Sequence, residues 1–109
     1  MEEENFEYNS EIDSLSIYNT DNTEDVIGSI VFGDLIFDIN SNGDIISLEI
    51  DNASQFFNMP SVILSKIESA KIDVKKDRDM ILLGFSVRLS EKEYNFSYIV
   101  PKDKIILTN

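Results

Sequence analysis

Residues Asp38 to Glu49, DINSNGDIISLE, match the calcium-loop pattern D-x-[DN]-x-[DN]-G-x5-E at every defined position. Carboxylate and amide oxygens at that spacing are the ligands a hard divalent cation needs, so Asp38, Asn40, Asn42 and Asp44 form a candidate cation site. The geometry of such a loop also requires its last part to be the first turn of a helix, which curls the twelfth residue back onto the ion. Here that part is Ile45-Ile46-Ser47-Leu48-Glu49-Ile50, a β-branched run that alternates apolar with polar. As a strand rising about 3.3 Å per residue, it carries Glu49 about 20 Å beyond Gly43, out of reach of an ion held by Asp38. The entering segment, Ile30 to Phe37, also reads as strand. Asn42-Gly43 between two alternating runs is a hairpin signal, because both residues tolerate positive φ. The stretch therefore reads as a β-hairpin, with a weak divalent-cation site at its turn as the alternative.

Other chemistry is scarce. The chain has no cysteine and no histidine, which removes disulfides, thiolate nucleophiles, the usual structural zinc sites and every catalytic arrangement built on imidazole. The acids Asp21, Glu24 and Asp25 sit in a polar stretch that reads as a solvated loop rather than as an acid–base pair. Tyr94, Phe96 and Tyr98 have the spacing of a base-stacking platform, but few bases surround them, and they read as core. The four glycines form no phosphate-cradling pattern. These residues describe a protein that is not an enzyme and holds no cofactor.

Charge is the most informative property. Residues 1–59 contain 14 acids and no Lys or Arg, whereas residues 60–109 contain 7 acids and 9 bases, so the halves carry −14 and +2. Duplex binding depends on neutralising phosphates, so a nucleic-acid partner is not expected. An acidic half keeps a β-rich surface soluble; it also suits a basic protein partner, with Glu11, Asp13, Asp21, Glu24 and Asp25 as the partner-binding candidates. A homodimer, formed through exposed strand edges or through the oppositely charged halves, is a further reading. No apolar run approaches the roughly 18 residues that span a bilayer, and the N-terminal MEEEN has acids where a secretory signal has bases. The sequence reads as cytoplasmic, with no membrane partner.

The elements that position these residues follow from periodicity. Phe6 to Tyr8 and Leu15 to Ile17 alternate around a turn-rich segment and predict a hairpin. Val26 to Phe32 is β-branched and aromatic; Gly33-Asp34 connects it tightly to a strand whose Leu35, Phe37 and Ile39 share one face. In the next strand Ile46, Leu48 and Ile50 share a face, with Ser47 and Glu49 opposite. Asp51 to Phe57 predicts a cap and one helical turn, and Pro60 starts a helix to about Ser69, with Ile63 and Ile67 on one side. Ile72 and Val74, then Ile81 to Leu89, then Tyr94 to Val100 predict a three-stranded antiparallel meander. Gly84 inside its long middle strand marks a bulge or a close approach by the helix, and Ile105 to Leu107 reads as a short edge strand. The expected fold is a single α+β domain over 1–109, mostly β, with antiparallel hairpins, the meander and one central helix.

One pattern runs through the first half: Tyr8-Asn9-Ser10-Glu11-Ile12-Asp13-Ser14-Leu15-Ser16-Ile17, then Leu35 to Asn40, then Gly43-Asp44-Ile45-Ile46-Ser47-Leu48-Glu49-Ile50 followed by Asn52-Ala53-Ser54. It resembles the small prokaryotic family catalogued as domain of unknown function 2283, over residues 8–54. Asn9 stands where that family often has Asp, and Ser47 where it often has Gly. Residues 55–109 are similar to the helix-plus-strands extension of its longer members. The resemblance implies a small, mostly β domain without established activity, with an antitoxin-like role opposite a toxin-like partner as the associated expectation.

Overall fold

Alternation of apolar and polar residues gives strands one core face and one solvent face, and the chain sorts itself into two layers on that basis. The computed structural model describes residues 5–19, 25–101 and 105–107. Its elements are β1 (Phe6–Asn9), β2 (Ser14–Tyr18), β3 (Gly28–Phe32), β4 (Leu35–Ile39), β5 (Ile45–Ile50), α1 (Ala53–Phe57), α2 (Ser61–Leu64), β6 (Ser69–Lys76), β7 (Met80–Leu89), β8 (Lys92–Pro101) and β9 (Ile105–Leu107). One antiparallel sheet has the order β1-β2-β5-β4-β3-β9, and the second is the meander β6-β7-β8. The fold is α+β and mostly β, as the periodicity requires.

The core lies between the sheets. Leu15, Ile17, Ile30, Phe37, Leu48 and Ile50 enter it from the larger sheet, and Ile81, Leu83, Phe85 and Val87 from the meander. Strand β6 is anchored at both ends: the Asn5 side-chain amide donates to the Ala70 carbonyl, and Lys76 Nζ donates to the Asn42 carbonyl beyond β4. These bonds tie the meander to the start of β1 and to the β4–β5 turn of the larger sheet. Phe56 and Phe57 of α1 close the core against Phe85 and Phe96, with ring centroids 5.1 to 5.9 Å apart.

Several local expectations are corrected. Between β4 and β5 the register passes from Asp38↔Ser47 to Ile39↔Ile45, so Ile46 is the extra residue of a bulge. Ile45, 1% exposed, takes the core position expected of Ile46. The turn itself is a three-residue Ser41-Asn42-Gly43 loop: the Gly43 N–H donates to the Asn40 carbonyl, the Asn40 N–H to the Asp44 carbonyl, and only Gly43 has positive φ (78°).

The helical segment is two short pieces. α1 ends at Asn58, which adopts the left-handed region at φ 55°, while the Met59 N–H donates to the Ser54 carbonyl and Pro60 opens α2. α2 stops at Leu64 instead of Ser69 because the Glu68 N–H is taken by the Arg88 carbonyl, which draws the chain into the meander. Gly84 sits in an unbroken register between Asp73 and Ser97, with no bulge there; a Cβ would lie 3.2 Å from the Asp73 carbonyl oxygen, so the close approach is by a neighbouring strand, not by a helix.

Candidate functional site

Cross-strand register assembles the outer face of the larger sheet. One row reads Glu7, Ser16, Glu49, Ile36, Val31 across β1, β2, β5, β4 and β3; the next reads Tyr18, Ser47, Asp38, Ser29. Glu7 and Glu49 are exposed, and Val31 and Tyr18 are about half exposed. Carboxylates, hydroxyls and a small apolar patch thus share one face.

Asp38 is the best-held member. Its Oδ1 accepts from Ser29 Oγ at 2.9 Å and its Oδ2 from Ser47 Oγ at 3.0 Å, so hydroxyls on both flanking strands fix the carboxylate. Glu49 is a different case. Although the residue is exposed, partial desolvation of its carboxyl pushes the pKa above the ordinary value, reinforced by a hydrogen bond with Asp51 and by the negative charges of Asp51 and Asp38. Glu49, Asp51 and Asp38 thus lie close enough for their charges to interact, and a cluster of like charges attracts a cation.

A second node joins the β1–β2 turn to α1. Asp13, at φ 52°, accepts from Tyr8 Oη at 2.6 Å, from Ser54 Oγ at 2.6 Å and from the Ser54 N–H at 3.0 Å, while its own carbonyl accepts the Ala53 N–H at 2.9 Å. Asn52, at the N-cap position, supplies no side-chain cap, so Asp13 caps α1 from 41 residues away. Burial acts to raise the Asp13 pKa, but the hydrogen bonds from Ser54 and Tyr8 outweigh it and hold the carboxyl below its ordinary value. The Tyr8 phenol is pushed up to about 12 by burial, by its bond to Asp13 and by that carboxylate's charge. An open cleft of about 480 Å³ adjoins this node, lined by Ser10, Asp13, Ser54, Gln55 and Ser61 among others. Its Ser54 hydroxyl and N–H both donate to the Asp13 carboxylate, which caps α1.

The turn at 38–44 divides its oxygens among partners within the chain. Asn40, fully buried, accepts the N–H groups of Asn42 and Asp44 on Oδ1, at 2.9 and 3.0 Å. Asp44 pairs with the Lys76 ammonium, which also donates to the Asn42 carbonyl at 3.3 Å. A side-chain cation thus occupies the mouth of the turn. Among the described residues no group of three or more acidic ligands converges on a metal-sized site.

Of the five partner candidates, Asp21 and Glu24 lie outside the described residues. Glu11 is exposed in the β1–β2 turn, and Asp13 has its carboxylate committed to Tyr8 and Ser54. Asp25 is exposed just before β3, and Ile27 two residues on bonds Ile39, so Asp25 lies at the opposite end of the sheet from Glu11. The described candidates do not form one patch. The acids the sheet does gather are Glu7, Asp38, Glu49 and Asp51, and their signal in the sequence was the polar phase of the alternating strands. Among the described residues no helix is long and apolar enough to cross a membrane. No family model matches the chain, and no curated protein or solved structure gives a significant match.

Proposed function

We propose that this chain is a non-catalytic protein-interaction module whose acidic sheet face binds a basic protein surface. The supporting observation is the segregation of charge by layer. Strands β1 to β5, five of the six in the larger sheet, come from the half of the chain without a single Lys or Arg, whereas the meander strands carry Lys71, Lys75, Lys76, Arg88 and Lys92 against only Asp73 and Glu93. Lys or Arg side chains of a partner can lay their stems on Val31 and Ile36 and place their charges against Glu7, Asp38 and Glu49. Glu11, Asp25 and Asp51 extend the field around the rim. The resemblance to the domain of unknown function 2283 family is carried as part of this proposal, and it suggests a toxin-like protein as the class of partner.

The test is capture of partners by the tagged full chain from its host's lysate at roughly 50 and 300 mM salt, a range over which exposed charge pairs become largely screened. A stoichiometric basic protein retained at low salt and released at high salt is the expected result. Retention that is independent of salt, or of acidic proteins only, would overturn the reading.

A further inference from the structure

Every open sheet has edges, and a soluble protein must blunt them. Among the described residues, three of the four sheet edges are managed. β1 has four residues and β9 three, and β6 presents Lys71, Lys75 and Lys76 along eight residues. β8 is different. It runs for ten residues in unbroken register with β7 from Leu89↔Lys92 to Met80↔Pro101, and among the described residues nothing pairs with its other side. From Tyr94 to Pro101 it carries no charge and no bulge, and a proline stands only at its end. Tyr94, Phe96 and Tyr98 point inward yet remain only partly buried, and Ile99 on the outer face is 65% exposed.

The occupant this edge fits is itself. The segment Tyr94-Asn95-Phe96-Ser97-Tyr98 has a near-palindromic pattern about Phe96. In an antiparallel pairing centred there, Tyr94 faces Tyr98 of the second copy, Phe96 faces Phe96 and Asn95 faces Ser97. Among registers that keep the two inner faces together, only this one sets all three rings against rings, an arrangement that stabilises paired strands. The charged residues then meet no like charge: Lys92 faces Val100 and Glu93 faces Ile99. We propose that β8 pairs edge to edge with β8 of a second copy, antiparallel about a two-fold axis at Phe96, making one six-stranded sheet from two meanders. The acidic faces lie on the other layer and stay open.

Sedimentation velocity of the full chain from roughly 1 µM to 1 mM tests this, at low and moderate salt. A concentration-dependent dimer is expected, and it should tighten with salt because each copy carries a net charge of −12. Partner binding at the acidic face has the opposite salt response, so the two ideas fail separately. The double variant Asn95→Lys, Ser97→Lys places lysine against lysine at two exposed outer positions and should weaken the dimer about tenfold or more with unchanged circular dichroism. Because the chain has no native cysteine, Asn95→Cys with Ser97→Cys should give a covalent dimer on oxidation. A monomer throughout the concentration range, a dimer indifferent to the lysines, or no covalent product would each overturn the proposal.

Discussion

Replacing Asp13 should reveal how much of this fold depends on one long-range cap. Its carboxylate accepts three hydrogen bonds, from the Tyr8 hydroxyl, the Ser54 hydroxyl and the Ser54 N–H. Bonds to a charged group contribute about 1.5–3 kcal/mol each when buried, but this node is part-exposed and water can replace some of them, so about 1 kcal/mol each is the sounder figure. Alanine at φ 52° adds about 1 kcal/mol of left-handed backbone strain. Asp13→Ala should therefore cost about 3–4 kcal/mol, and Asp13→Gly, which tolerates that φ, about 1 kcal/mol less. Asp13→Asn keeps one acceptor and the conformation, so a loss of about 1–2 kcal/mol is expected.

Urea unfolding followed by far-ultraviolet circular dichroism at neutral pH measures these differences. The pH dependence has a fixed sign. Because the folded-state Asp13 pKa lies below the ordinary value of 3.8, its contribution is present above that value and is lost as pH falls through the folded pKa. Tyr8 acts at the other end: its stabilisation is present below pH 10 and is lost as pH rises toward about 12. Asp13→Ala within about 0.5 kcal/mol of the parent, or with unaltered acid sensitivity, would refute the capping role.

Four further outcomes are expected. The β7–β8 turn holds Ser90 at φ 53° and Glu91 at φ 64°, conformations that Asn-Gly adopts readily, so Ser90→Asn with Glu91→Gly should raise stability by about 1 kcal/mol in the same urea assay. Gly84→Ala should lower it by about 1–3 kcal/mol, since the new methyl group would press on the Asp73 carbonyl. Glu49→Gln should stabilise slightly, by less than about 1 kcal/mol, because it relieves a carboxylate crowded by Asp51 and Asp38; the gain should shrink as pH falls and Glu49 protonates in the parent. Calcium titration by calorimetry should show no saturable heat in the micromolar range, in the parent or in Asp38→Ala, because Lys76 already engages Asp44 and the Asn42 carbonyl.

How far the sequence reveals this molecule depends on the range of the interactions involved. The β1–β2 hairpin and the meander were legible because alternation such as Ile81, Leu83, Phe85, Val87 is a local record of burial. The bulge at Ile46 was not, since an extra residue shifts the phase only where the partner strand forces it. The stop of α2 at Leu64 depends on Arg88, 20 or more positions away, and helix propensity has no information about that bond. The same holds for the site. Ser47 and Glu49 read as solvent-facing, but Ser29, Asp38 and Ser47 become neighbours only through register across three strands. Asp13 reads from sequence as a partner-binding acid, because its capping role depends on Ser54, 41 residues further along the chain.

The most direct test of the acidic face as a docking surface is charge reversal at Glu7 and Glu49, both exposed and neither used as a cap. Glu7→Lys with Glu49→Lys should leave the unfolding transition close to that of the parent, while a basic partner captured by the parent at low salt is lost. A partner retained undiminished by the folded double variant would contradict the account.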